Sequence, residues 1–218
     1  MYDRIEALAD ENGLLILGAL HPASSSVQNL SDGTLILLGT GPAFWPQLQQ
    51  SPEARDGQRD PIDRWSTRVI GAMARSLNAN AHFPFGGPPY EPFINWALAS
   101  GRAFQSPAGP MVHDQVGMMI SFRGALHFEQ VFPIPKPPLA TSPCGGCKTK
   151  PCLTACPVGA LSASGPYDVP ACYAHLDRPE GAECMEIGCI ARRACPLSEK
   201  ADRDPKQTSH HMRYFRPS

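Results

Sequence analysis

Residues 144–161 read CGGCKTKPCLTACPVGAL. Cys144, Cys147, Cys152 and Cys156 fall in this one stretch, and Pro157 follows the last of them. The other four cysteines, Cys172, Cys184, Cys189 and Cys195, come after it, and Cys195 is also followed by a proline, Pro196. The 143 residues before Cys144 contain no cysteine. The thiols therefore define one module near one end of the chain, and the residues before it need a separate reason to exist.

Iron–sulfur clusters need thiolates converging from a short, loop-rich segment. The bacterial pattern is C-x2-C-x2-C-x3-C-P, whose fourth cysteine serves the other cluster. Here the first run is Cys144-x2-Cys147-x4-Cys152-x3-Cys156-Pro157, two residues longer in its middle gap. The second run is looser: Cys172, then Cys184-x4-Cys189-x5-Cys195-Pro196. Crossed ligation assigns Cys144, Cys147, Cys152 and Cys195 to one cluster and Cys156, Cys172, Cys184 and Cys189 to the other. Eight thiols divide into two full sets with none left over. Two four-cysteine zinc sites are the alternative. Zinc ribbons favour separate C-x2-C pairs, and only Cys144/Cys147 form one. A disulfide scaffold fits less well, because the chain's other features predict a reducing compartment.

Those features are simple. Net charge is −1, which excludes a global electrostatic case for nucleic acid or an anionic membrane. The start, MYDRIEALADENG, is acidic and amphipathic and lacks the basic and apolar regions of a secretory signal. The longest apolar run, near Leu14–Leu20, is too short to span a bilayer. A soluble, cytoplasmic protein is expected. Proline is frequent, 24 residues, which favours rigid irregular connections over long helices.

The cysteine-free part reads as interleaved strands and helices. Residues 3–12 predict a short helix. LLILGAL (14–20) and TLILL (34–38) predict buried strands, being short apolar runs bounded by glycine. A short helix is expected near 43–50, and SPEARDGQRD (51–60) reads as a polar loop. In DPIDRWSTRVIGAMARSLN, Asp60 is placed to cap a helix, Pro61 suits its first position and Asp63 its first turn. Ile62, Trp65, Val69, Met73 and Leu77 recur at helical spacing, so one face of that helix is buried. Another helix is expected near 91–100. Residues 116–122 and 125–132 read as strands with Arg123-Gly124 between them, and residues 133–143 as a stiff linker. The pattern is α+β. No phosphate-binding glycine loop is present.

Three further segments are chemically distinctive. His82–Tyr90 (HFPFGGPPY) mixes aromatic with small, rigid residues and suits either a flat pocket or a surface turn. His113-Asp114 suits an acid/base pair, with a surface histidine at a turn as the commoner explanation. His210-His211 suits either a metal or a solvated terminus.

The order CxxC…CxxxCPVGAL…ACYAHL…C…C…CP resembles the epoxyqueuosine reductases, in which the same crossed set ligates two clusters that reduce the cobalt of a bound cobalamin. Cys172 in ACYAHL falls where that family has an isolated cysteine. Residues 33–130 are similar instead to the CblC family of cobalamin-processing proteins. TLILLGTGPAFWPQL resembles its strand and STPAMF turn, DPIDRWS its DPVDQCV, and HDQVGMMISFRGAL its HPRFGGWFAIRGVVL. The CblC resemblance implies a nitroreductase-like α/β sandwich that holds the corrinoid base-off in a wide cavity. Carried over residue by residue, that cavity involves Phe83, Pro84, Phe85, Gly86, Gly87, Pro92, Phe93, Met111 and Phe122.

Together the two resemblances imply a corrinoid-binding domain over residues 1–138 and a two-[4Fe-4S] ferredoxin-like domain over 139–218. They imply a reductase that removes an upper cobalt ligand such as cyanide, fed by flavodoxin, ferredoxin or a flavin reductase. No residue is singled out as catalytic. The acid that epoxyqueuosine reductases use to protonate substrate has only Glu91 as a counterpart, and no basic groove for tRNA is evident. A two-cluster electron carrier without corrinoid, and an epoxyqueuosine-reductase-like or flavin-dependent reductase, are the alternatives.

Overall fold

The computed structural model describes residues 1–25, 27 and 30–216. In chain order the elements are α1 (Tyr2–Glu11), β1 (Leu14–Leu20), β2 (Thr34–Thr40), α2 (Phe44–Gln50), α3 (Pro52–Arg55), α4 (Pro61–Leu77), β3 (Asn80–His82), α5 (Phe93–Ala99), β4 (Ala103–Gln105), β5 (Met111–His113), β6 (Phe122–Phe128), α6 (Val169–Leu176), α7 (Ala182–Ile187), α8 (Ile190–Arg193) and α9 (Pro205–Phe215). By internal packing the chain divides into two units. Met1–Ala103 with Ser121–Pro138 forms the first, and Phe104–Ile120 with Leu139–Ser218 the second.

The first unit is built on an antiparallel sheet of order β1-β2-β6-β3. β2 is buried along its whole length, which is what an uninterrupted apolar run demands. Ile16, Ile36, Leu38, Leu126 and Phe128 share one core with Ile5 of α1, Phe44 and Leu48 of α2, and the Ile62/Trp65/Val69/Met73/Leu77 stripe of α4. Each such side chain contributes about 1.5–3 kcal/mol when buried. Phe44 and Trp65 meet edge to face at 5.1 Å. Leu35, Leu37 and Ala125 are buried as well. Gly18 lets Ser100, just beyond α5, come close: a Cβ there would lie 2.7 Å from Ser100 Oγ.

Four expectations are corrected. Residues 116–122 and 125–132 are not two strands: one strand, β6, runs straight through Arg123-Gly124. Gly124 is small for packing rather than for turning, since a Cβ would sit 2.8 Å from Ile70 Cδ1. The polar loop at 51–60 contains α3, stapled to α4 by Glu53, which accepts from Arg68 Nε at 2.5 Å and Nη2 at 3.0 Å. Asp60 stands at the start of α4 in the left-handed conformation (φ 54°) and its side chain makes no capping bond. Asp63 instead accepts from Arg123 at 3.1 Å. The short strands β3, β4 and β5 were not anticipated, being too brief to show a period.

The second unit is mostly turns and short helices. It includes β4 from Phe104 on and all of β5, and a tight turn in which His113 and Gly117 exchange backbone hydrogen bonds. Gly117 (φ 57°) packs against the backbone of Leu197 and Ser198. No helix among the described residues is long and apolar enough to cross a membrane.

Candidate metal centre

Short 3-10 turns, Pro143–Gly145 and Pro151–Leu153, present the first cysteine run. Ser142 fixes the first turn by accepting from the Cys144 N–H. Within the second unit, Cys144, Cys147, Cys152 and Cys195 line one cavity of about 400 Å³. Its remaining wall includes Val112, Met118 and Leu197, and its rim carries Lys148 and Lys150, both exposed. Cys152 and Cys195 are buried, as are Val112 and Met118. Burial raises the Cys152 thiol pKa first, and the nearby sulfurs of Cys144, Cys195 and Cys147 raise it further.

The other four thiols keep company with one another. The Cys172 thiol is raised by burial, lowered by a hydrogen bond from the Tyr167 hydroxyl, and raised again by Cys189 and Cys156. Cys184 is raised by burial, lowered by the Ile190 N–H, and raised by Cys189 and Cys172. Tyr167 is itself pushed up, chiefly by burial and then by Cys172. Cys172 lies on α6 and Cys184 on α7. Gly188, at φ 95°, brings the chain from α7 to Cys189, with Thr208 of α9 in the space a side chain would need. By packing, Cys156 and Cys189 lie against the buried cluster that contains Cys152 and Cys195, and Cys172 lies against the one that contains Cys184.

Among the described residues no three His, Cys, Asp or Glu side chains converge as ligands of a single metal ion. The first four thiols border a volume instead of meeting at a point. Soft sulfur donors of this kind suit zinc or a polynuclear iron–sulfur group.

The residues singled out as a corrinoid pocket fall into both units. Phe93 and Phe122 pack at 6.1 Å, and Phe83 and Phe85 at 5.2 Å, with the Arg123 guanidinium 5.5 Å over the Phe85 ring. Pro84, Gly86, Gly87 and Pro92 lie on the connections between β3 and α5. Met111 belongs to the second unit, on β5. Glu91 is half exposed and hydrogen-bonds His82 Nδ1 at 3.0 Å, a partner that sequence reasoning did not supply. His82 also packs edge-on against Trp96 at 5.6 Å.

His113 and Asp114 are not at the surface. Both side chains are buried, 3.2 Å apart, and the Gln115 N–H donates to His113 Nδ1. His210 and His211 are not a loose terminus but part of α9, whose Thr208, Ser209 and Met212 are buried. Sequence reasoning also missed Tyr167, Arg192 and Ser198, which reach the thiol region through contacts distant in sequence that leave no spacing signal.

No protein-family model matches the chain. Among solved structures, the B12-trafficking protein CblC of C. elegans is similar over 100% of this chain and 97% of that one, with a TM-score of 0.52 at 12% identity. The fold is CblC-like. Among curated proteins, the epoxyqueuosine reductase of Vibrio cholerae is 22% identical over 192 residues, covering 75% of this chain and 51% of that protein. The chain spans about half the length of that relative.

Proposed function

We propose that this protein holds two [4Fe-4S] clusters, binds cobalamin, and passes electrons to the cobalt, removing an upper ligand such as cyanide. The observation that carries this is the cavity bordered by Cys144, Cys147, Cys152 and Cys195, thiols contributed by two separate runs as crossed ligation requires. Cys156, Cys172, Cys184 and Cys189 would hold the second cluster. When bound, such clusters supply one-electron transfer at low potential.

The chain's own part is physical. The cysteines fix the ligand positions. Val112, Met118 and Leu197 keep water from the first site and lower its polarity. The CblC-like fold and the B12 trafficking named for its C. elegans neighbour support cobalamin as the substrate. Phe83–Gly87, Pro92, Phe93, Met111 and Phe122 are proposed to contact the corrin. In decyanation the cobalt gains one electron, the cobalt–carbon bond breaks, and cyanide leaves with the bonding pair. The electron comes from a low-potential donor of the flavodoxin, ferredoxin or flavin reductase type.

The test is anaerobic. Iron-reconstituted protein is mixed with cyanocobalamin and a low-potential reductant, and the visible spectrum is followed. The expected result is a protein-dependent rise of the one-electron-reduced corrinoid band, lost in Cys195→Ser. No change in the corrinoid spectrum, with about eight irons per chain present, would leave a two-cluster electron carrier and overturn the cobalamin assignment.

A further inference from the structure

The four thiols of the first cavity are not equally deep. Cys152 and Cys195 are buried, whereas Cys144 and Cys147 are partly exposed. Beside that second pair the chain runs along the surface: Gly145, Gly146, Lys148, Thr149 and Lys150 are all exposed. Whatever the four thiols hold therefore comes nearest to solvent on this side. Two lysines stand there because the gap from Cys147 to Cys152 holds four residues, KTKP, where the bacterial run has two. Lys150 is in the left-handed conformation (φ 41°), which asparagine or glycine adopts at less cost. Among the described residues neither lysine forms an ion pair. None of the described residues bordering the cavity is an acid. An apolar mouth with unpaired cations at its rim has the composition of a docking face.

The second thiol set is surrounded differently. Between Cys172 and Cys189 the chain carries Asp177, Glu180, Glu183 and Glu186 against Arg178, all of them exposed. Arg216 and Arg193 pair with Asp177 and Glu183. Glu180 and Glu186 have no such partner among the described residues. The net charge of −1 thus conceals two thiol regions of opposite sign. Electron transfer between proteins weakens steeply with distance, so a donor must dock where the redox group is nearest the surface. The sign of the charge at that place selects the sign of the donor.

We infer that the edge at residues 148–150 is the docking surface for an acidic electron-donor protein, and that electrons enter through the first thiol set. This rests on the two-cluster reading above. The donor loses one electron and the group held by Cys144, Cys147, Cys152 and Cys195 gains it, with no bond formed or broken. The same donor is attracted at Lys148 and Lys150 and repelled at Glu180 and Glu186.

The test uses full-length, iron-reconstituted protein and two reductants in anaerobic stopped flow: a reduced flavodoxin of net negative charge, and reduced methyl viologen, a small cation. The variants are Lys148→Gln/Lys150→Asn, which keeps a residue suited to the left-handed position, and Glu180→Gln/Glu186→Gln. At low ionic strength the flavodoxin rate constant should fall at least about tenfold in the lysine variant, and added salt should slow wild type toward it. Methyl viologen should reduce the lysine variant at least as fast as wild type, and the glutamate variant should lose nothing with either reductant. Carbodiimide cross-linking of the unsubstituted protein to the same flavodoxin should join donor carboxylates to Lys148 or Lys150, which tests the surface without any variant. An unchanged flavodoxin rate in the lysine variant, an equal fall with both reductants, or cross-links confined to Lys136, Lys200 or Lys206 would overturn the inference. So would wild type that holds about eight irons per chain and is not reduced by the flavodoxin. Wild-type protein without iron would overturn the two-cluster reading itself.

Discussion

In β2 every residue from Thr34 to Thr40 is buried, whereas between Cys144 and Cys156 only Cys152 is. The first unit is held by apolar side chains that fill the space between them. In the second, the clusters of buried residues are small and include Cys152, Cys184 and Cys195 themselves. Residues of one such cluster border a cavity of about 400 Å³. One unit is specified by packing. On the two-cluster proposal the other is arranged around what it holds, so its stability and its ligand would be two aspects of one equilibrium.

The largest expected effect breaks the comparison outright. Removing iron with a chelator under reducing conditions should bring the amides of residues 144–195 close to the exchange rates of unstructured chain. β1, β2 and β6 should keep their protection. Hydrogen exchange with mass spectrometry on full-length protein, with and without iron, measures both at once. Equal protection of the second unit in the iron-free protein would show that its own contacts suffice, and the contrast between the units would fail.

The converse perturbation strikes the packed unit. Trp65 is 3% exposed and takes Phe44 edge-on. Trp65→Ala should cost about 3–5 kcal/mol and leave the iron content untouched. All three tryptophans, Trp45, Trp65 and Trp96, lie in the first unit. Tryptophan fluorescence during denaturation therefore follows that unit alone in the wild type. For the variant, Trp45 and Trp96 still report. A parallel loss of iron at the same denaturant concentration would mean that the units do not stand apart energetically.

A matched pair of glycines sharpens the contrast. At Gly117 a Cβ would lie 2.4 Å from the Ser198 nitrogen, and the residue's φ is 57°. Backbone beside Cys195 cannot retreat, and the left-handed conformation alone costs an ordinary residue about 1–2 kcal/mol. At Gly124 the nearest atoms are the tip of the Ile70 side chain, at 2.8 Å, and the His82 carbonyl oxygen, at 3.0 Å, both in the first unit. Gly117→Ala should accelerate iron loss in mild denaturant, and Gly124→Ala should not. The reverse order would mean that the turn holding Met118 is unrelated to the thiol cavity.

These differences also explain what was legible in the sequence. The α4 stripe and the strands β1 and β2 were readable because periodicity and apolar runs report burial directly. The confinement of the thiols to one end of the chain was readable because it is a matter of composition. What failed were glycines and charges whose meaning lies in a distant neighbour. Gly124 passed for a turn because Ile70, which needs its missing side chain, is far away in sequence. His113-Asp114 passed for surface because nothing local says that β5 is covered. Arg192 gave no signal at all, since its partners are Met118 and Ser198.

The smallest expected effect belongs to a surface staple of the first unit. Arg68 holds the Glu53 carboxyl at about 2, against an ordinary 4.5, mainly through its hydrogen bonds. A carboxyl whose folded pKa is depressed stabilises the fold fully above its unfolded value, and that stability drains away as pH falls toward the folded value. Arg68 is half exposed, 52% by side chain, so solvent and salt screen the pair to under about 1 kcal/mol. Glu53→Gln should therefore lower the fluorescence-detected midpoint slightly and equally from neutral pH down to about 5. Below 4.5 the gap between variant and wild type should close, because wild type is then losing what the variant never had. High salt should narrow it at every pH. A gap that widens on acidification would mean that Glu53 is held protonated in the fold, and that the short contact to Arg68 is not what anchors α3 to α4.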